Sequence, residues 1–179
     1  MKKNAIFVVD MVNGFCTSGS LASQDIAKLI PAQKDFLEKK VAKNKSKIIF
    51  LCDAHSENDI EMLSYPIHCL KGSFESNIVK ELKPFADQII YKNTTNSFFA
   101  IDKKLYEEFD SYEIIGCCSD ICILQFALSL KMYLNSKQIN KNVIVYENLV
   151  STFNSENHNK DEFHNMAIKL LKNAGILIK

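Results

Sequence analysis

Four side chains that could take part in catalysis each lie at the end of a short apolar run of the sequence, or just beyond it. They are Asp10, Asp53, Lys92 and Cys122. A cysteine becomes an effective nucleophile when an acidic base and a cation lie beside it. These residue types therefore indicate a cysteine hydrolase, provided that the fold brings them together.

Each of these residues also has a purely structural interpretation. Cys122 follows Ser119 and Asp120 near the start of a predicted helix, where partial positive charge favours a thiolate. A buried, unreactive helix cysteine explains the same local sequence equally well. Asp10 could cap a turn, and Lys92 could be the solvated end of a strand. Only the joint placement of the three residues favours catalysis.

The segment 53–68 brings two histidines close to several carboxylates in the sequence. Its acidic residues and histidines are Asp53, His55, Glu57, Asp59, Glu61 and His68. Imidazole together with carboxylate suits zinc, iron(II) or manganese better than calcium. A polar surface loop would explain the acidic residues but accounts less well for two histidines. The composition therefore favours a metal site slightly over a plain loop.

The elements that must position these residues alternate along the chain. Short apolar runs predict strands at 5–9, 47–51, 88–91, 112–117, 143–146 and 176–178. Helical spacing and end signals predict helices at 31–43, 75–82, 102–109, 120–134 and 156–173. This alternation predicts a three-layer α/β/α fold, with about six mostly parallel strands and helices on both faces. Ligands of such sheets bind outside the carboxyl ends of the strands, where all four reactive side chains are expected.

The bulk properties limit the remaining classes of protein. A chain of 179 residues fits one domain, 1–179, and its net charge of +1 indicates neither nucleic acid nor an anionic membrane as partner. The charged and apolar segment 1–10 is too short for a signal peptide, so we expect a strand there and a cytoplasmic protein. Its six cysteines are expected to be reduced thiols.

Five segments of the sequence resemble the isochorismatase-like cysteine hydrolases, and among them the nicotinamidase branch. They read V-V-D-M-V-N-G-F-C (8–16), D-A-H (53–55), Y-P-I-H-C-L-K-G (65–72), Y-K-N-T-T-N-S-F (91–98) and G-C-C-S-D-I-C-I (116–123). They occur in the family's order over nearly the whole chain. The D-x-H and P-x-H-C pair distinguishes nicotinamidases from metal-free relatives.

The resemblance implies a role for each matched residue. The catalytic triad would be Asp10, Lys92 and Cys122. One divalent metal ion, zinc in the first place and otherwise iron or manganese, would be held by Asp53, His55, Glu61 and His68, with Glu57 or Asp59 as alternatives to Glu61. A cis peptide between Cys117 and Cys118 would turn the Cys118 amide, with that of Cys122, toward the oxyanion.

The resemblance also implies the reaction. Nicotinamide would be hydrolysed to nicotinic acid and ammonia through a thioester on Cys122, with Phe15 and Tyr65 enclosing the ring. Val12 and Gly14 replace the Gln and Asp that many relatives carry, so another small amide, or an enol ether such as isochorismate, remains an alternative. A catalytically silent metal-binding or thiol-sensing protein is another. Relatives often form homo-oligomers, but no stretch of this sequence identifies an interface.

Overall fold

The computed structural model describes residues 4–43 and 46–179, and its centre is a six-stranded sheet. The first three residues of the N-terminal segment lie outside the described residues. The strands are β1 (Asn4–Val9), β2 (Ser46–Asp53), β3 (Gln88–Lys92), β4 (Ser111–Cys117), β5 (Asn142–Ser151) and β6 (Leu177–Ile178). They lie in the order β3-β2-β1-β4-β5-β6, and every pairing among these described strands is parallel. The predicted fold class is therefore confirmed.

Helices connect the strands. The α-helices are α1 (Asn13–Cys16), α2 (Gln24–Ala27), α3 (Ile30–Ala42), α4 (Leu105–Glu108), α5 (Leu124–Ser136) and α6 (Lys160–Asn173). Short 3-10 helices occur at Ile60–Leu63, Lys83–Phe85 and Ser97–Ala100, and a π-helical turn at Ser119–Ile123 precedes α5. None of the helices in the described part of the chain has both the length and the apolar character that crossing a bilayer requires.

The central strand β1 is almost entirely apolar because both faces of the sheet are covered there. In β1 the side chains of Ala5, Phe7 and Val9 pack into one core with α5 and α6. Those of Ile6 and Val8 point to the opposite core, which includes residues of α2 and α3. Alternate side chains of one strand thus enter two separate cores, as expected of a parallel sheet between two helical layers.

The prediction of a helix at 75–82 is wrong. This segment instead runs beside the loop after β1, where Val12 and Ile78 form an antiparallel bridge. The amide of Asn13 donates to the carbonyl of Asn77, and the amide of Gly14 donates to that of Glu75. These long-range bonds use the backbone groups that a helix would have paired locally, so the tertiary contact overrides the local preference.

The strand order places a crevice beside the central strand. The chain leaves β1 toward β2 on one side, whereas β4 and β5 lie on the other side. Ligands of open parallel sheets bind where the direction of winding changes, outside the carboxyl ends of the strands. A binding site is therefore expected among the residues that follow β1 and β4.

Gly116 makes the close contact between β1 and β4 possible. Its φ is 126°, and an added Cβ would overlap the backbone of Val9, its partner in β1. We expect Gly116→Ala to lower the free energy of unfolding by about 3 kcal/mol or more, because backbone strain and a backbone clash act together. Denaturant unfolding followed by circular dichroism measures this change.

Gly72→Ala is the matched control for this prediction. Gly72 also has a positive φ, 80°, but an added Cβ there meets nothing within 4 Å. This variant should lose only about 1 kcal/mol, the cost of the left-handed backbone alone. Equal losses in the two variants would show that close packing against Val9 is not what requires a glycine at position 116.

Candidate active site

Asp10 follows β1 directly and lies fully buried at the crevice. Its φ of 53° is unusual for a residue with a side chain and costs roughly 1–3 kcal/mol. The Asp10 amide donates to the carbonyl of Leu51, and the amide of Asp53 donates to Oδ1 of Asp10 at 3.1 Å. The carboxylate is thereby fixed between the ends of β1 and β2.

Lys92 is the last residue of β3, and its ammonium group lies between two buried carboxylates. Its Nζ is 2.8 Å from Oδ2 of Asp10 and also contacts Oδ1 of Asp53. Burial opposes the charge of Lys92, but Asp10 and Asp53 raise its pKa well above the ordinary value. The lysine is therefore a permanent cation in this site, and the interpretation of Lys92 as a solvated strand end is wrong.

Cys122 lies in the π-helical turn after β4 and faces the same crevice. Burial raises the pKa of the Cys122 thiol well above its ordinary value, although the charge of Lys92 lowers it. Burial and the charge of Asp53 raise the pKa of Asp10 to about 7, while Lys92 and a hydrogen bond with Cys122 act in the opposite direction. The structure thus brings together a neutral thiol and a carboxylate whose proton affinity suits proton transfer near neutral pH.

Asp53, His55 and His68 form a second cluster that shares Asp53 with the first. One ligand atom from each of the three lies within 4.8 Å of the others. Oδ2 of Asp53 is 3.6 Å from Nε2 of both His55 and His68. Because Oδ1 of the same carboxylate contacts Lys92, Asp53 connects the two clusters.

The outer nitrogens of both imidazoles are already occupied. Nδ1 of His55 lies 3.3 Å from Oδ2 of Asp59, and Nδ1 of His68 lies 2.7 Å from the carbonyl of Pro66. The two Nε2 atoms therefore face Asp53. Nε2 of His55 is buried and has no hydrogen-bond partner among the described residues. Such oriented imidazoles with one carboxylate fit a divalent metal ion of the zinc, iron or manganese type.

The three alternative acidic residues of this segment differ in their placement. Glu61 lines the crevice, and both of its carboxylate oxygens lie 3.1 Å from the amide of Thr95, which donates to them. It is not part of the cluster of three ligand residues. Asp59 supports His55 from the outside, and Glu57 is exposed. A role for Glu61 as fourth ligand stays a prediction.

The crevice is a cavity of about 330 Å³. Asp10, Cys122, Asp53 and His68 line it, so the thiol faces the same space as one carboxylate and one imidazole of the second cluster. Its other lining residues are Phe15, Ser20, Leu21, Ala22, Ser23, Glu61, Tyr65, Thr95, Cys118, Ile121, Phe153, Asn154 and Ser155. The ring of Phe15 lies 5.7 Å from that of His68 between centroids, and the ring of Tyr65 lies 6.2 Å from it.

Sequence reasoning missed two walls of the cavity, formed by residues 20–23 and 153–155. Neither segment carries a reactive side chain, so no chemical signature identified them. Phe153 does follow the end of β5, and the same argument that identified Asp10 could have placed it at this edge of the sheet.

The peptide bond between Cys117 and Cys118 is cis, as the resemblance implied. The amides of Cys118 and Cys122 as oxyanion donors stay a prediction.

The chain is similar in sequence or in fold to several known proteins. The chain is 24% identical to Nicotinamidase 1 of Arabidopsis thaliana over 203 residues, which cover 95% of this chain and 82% of that protein. An isochorismatase-like hydrolase from Alkaliphilus metalliredigens has a TM-score of 0.83 at 22% identity, covering 99% of this chain and 94% of its own. The pyrazinamidase of Pyrococcus horikoshii in complex with zinc has a TM-score of 0.80 at 23% identity, covering 99% and 98%.

A family model gives the broadest match. The model described as the isochorismatase domain matches residues 4–177, which include strands β1 to β5 and both clusters at the cavity. The chain therefore belongs to the isochorismatase family of hydrolases.

Proposed function

We propose that this protein is a metal-dependent nicotinamidase, which hydrolyses nicotinamide to nicotinic acid and ammonia. The observation that carries the proposal is the shared cavity. The thiol of Cys122 and the carboxyl group of Asp10 face the same space as Asp53 and His68, two of the three clustered ligand residues. A nucleophile alone would suit many small amides, whereas a metal site opposite the nucleophile suits an amide attached to a ring that carries a ligand nitrogen.

In the proposed first half-reaction, Asp10 takes the proton of the Cys122 thiol as the sulfur attacks the carboxamide carbon. The amides of Cys118 and Cys122 donate to the oxygen that becomes negatively charged. When the carbon–nitrogen bond breaks, Asp10 returns the proton to the nitrogen, and ammonia leaves. Lys92 keeps its proton throughout and holds the carboxylate of Asp10 in place.

In the second half-reaction, water attacks the thioester carbon while Asp10 accepts a proton from that water. The carbon–sulfur bond then breaks, and the sulfur of Cys122 regains a proton from Asp10 as nicotinic acid forms. The carboxyl group of Asp10 thus acts twice as a base and twice as an acid. A pKa of Asp10 near 7 suits this double role, because neither protonation state is strongly favoured.

Asp53, His55 and His68 would hold the metal ion, with Glu61 as the proposed fourth ligand at the cavity wall. Two imidazoles and a carboxylate favour zinc, which is also the ion named in the complex of the Pyrococcus horikoshii pyrazinamidase. When bound, the metal would supply a Lewis acid for the pyridine nitrogen. Phe15 and Tyr65 would enclose the ring, so that the carboxamide points to Cys122.

The first test of the proposal is the choice of substrate. The purified, metal-loaded protein should release ammonia from nicotinamide with a kcat/KM at least about 100-fold higher than from benzamide, which has the same shape but lacks the ring nitrogen. Coupled ammonia detection measures both. Equal rates for the two amides would show that the ring nitrogen takes no part in substrate recognition. Faster turnover of isochorismate or of a non-aromatic amide would identify a different substrate class.

The role of Cys122 is tested by Cys122→Ala. We expect kcat to fall by about 1,000-fold or more, because the covalent route then lacks its nucleophile. Cys52→Ala is the matched control, since Cys52 is also a buried cysteine but belongs to the core below the cavity. An alanine variant at 122 that keeps more than a few per cent of the activity would exclude the thioester route.

The metal site is tested by elemental analysis of His68→Ala. The wild-type protein should carry about one divalent ion per chain, and His68→Ala should lose most of it, because one of three clustered ligands is removed. His164→Ala should keep its metal, since His164 lies on α6 outside the cluster. Full activity after verified metal removal would contradict the proposed role of the ion.

A further inference from the structure

His158 lies between residues 153–155, which form one wall of the cavity, and the π-helical turn Ser119–Ile123, which carries Cys122 and is called the nucleophile turn below. It lies in the connection between β5 and α6, outside the residues that line the cavity. Its ring is stacked between two phenyl rings, with centroids 4.1 Å from Phe153 and 4.0 Å from Phe163. Phe153 is part of the cavity wall, and Phe163 belongs to the first turns of α6.

Both ring nitrogens of His158 face oxygen acceptors. Nε2 lies 2.7 Å from Oδ2 of Asp120, and Nδ1 lies 3.0 Å from the carbonyl oxygen of Phe153. An imidazole donates to two acceptors at once only when both of its nitrogens carry protons. In that state the ring forms an ion pair with Asp120, whose side chain is only 9% exposed. The second oxygen of Asp120, Oδ1, is buried without a hydrogen-bond partner among the described residues.

The partner of His158 is part of the nucleophile turn. Asp120 lies between Cys118 and Cys122 in the π-helical turn Ser119–Ile123. On the other side, His158 closes a small turn of its own, because the amides of Ser155 and His158 each donate to the carbonyl of the other residue. One imidazole therefore joins the segment 153–158 to the turn that carries the nucleophile.

The two segments differ in how much else holds them. The nucleophile turn has its own backbone bonds, since the amides of Ile121 and Ile123 both donate to the carbonyl of Cys118. It also contacts α6, through the hydroxyl of Ser119 and Nδ1 of His164 at 3.1 Å. In the wall, the side chain of Asn154 accepts from the amide of Lys160 at the start of α6. The described side-chain hydrogen bonds between residues 153–155 and the nucleophile turn all pass through His158. Loss of the ring should therefore disturb the wall more than the nucleophile.

We propose that His158 is a positioning residue that holds the 153–155 wall of the cavity against the nucleophile turn and thereby sets the affinity for the substrate. This inference rests on the proposed function only for the identity of the substrate. His158 does not line the cavity, so it takes no direct part in proton transfer. Its effect should appear in KM, because the wall contacts the substrate equally before and during the reaction.

The kinetic test compares His158→Ala, Asp120→Asn and the double variant. His158→Ala should raise KM for nicotinamide by about tenfold, roughly the strength of a hydrogen bond to a charged group, and change kcat by less than about threefold. The double variant should be no worse than His158→Ala, because the two residues act through one contact. His158→Gln, which keeps a donor for Asp120, should recover part of the loss. A KM that stays at the wild-type value, or additive effects in the double variant, would overturn the proposal.

Hydrogen exchange provides a readout that does not need a substrate. In the full-length protein, the amides of Ser155 and His158 should be protected, and His158→Ala should speed their exchange at least about tenfold. Amides of β1 and β4 serve as the internal reference and should exchange as in the wild-type protein. Unchanged protection at 155 and 158 would overturn the proposal. If the wild-type protein failed to hydrolyse nicotinamide, the proposed function would fail, but the exchange result would still decide the role of His158.

Discussion

One buried ammonium group between two buried carboxylates is the interaction on which the rest of the site depends. Lys92 contacts both Asp10 and Asp53, and all three side chains are almost fully buried. Charges are removed from water at a high cost unless they are paired, so none of the three could occupy this place alone. With both carboxylates ionised, the trio carries one excess negative charge. That excess attracts either a proton to Asp10 or a metal cation to Asp53.

This charge balance connects the cluster of Asp10, Lys92 and Cys122 with the cluster of Asp53, His55 and His68. Asp53 directs one oxygen to Lys92 and the other to the imidazoles of His55 and His68. The same carboxylate therefore orients the ammonium group of Lys92 and belongs to the cluster that is proposed to hold the metal ion. Burial alone would raise the pKa of Asp53, but Lys92 and the two histidines hold it well below the usual range. Asp53 is thus a fixed negative charge, whereas Asp10 is free to exchange a proton.

Much of this arrangement could be predicted from the sequence, because the sheet is covered on both faces. Runs of apolar residues marked all six strands, and the position of a residue at a strand end predicted Asp10, Asp53 and Lys92 as neighbours. The helix expected at 75–82 failed because its backbone bonds to residues far away in the sequence, which local spacing does not reveal. The walls at 20–23 and 153–155, and the stacked ring of His158, were missed because their importance arises only from contacts made in the folded chain. The assignment of Glu61 came from the resemblance alone.

The position of β3 at the border of the sheet has a consequence for stability as well as for catalysis. A border strand of five residues pairs with one neighbour only, and such strands are usually the first to detach. Here its final residue is anchored electrostatically to the ends of the next two strands. The buried ion pairs of Lys92 therefore also hold this border strand to the sheet, so that a substitution in the trio would weaken the scaffold as well as the candidate site.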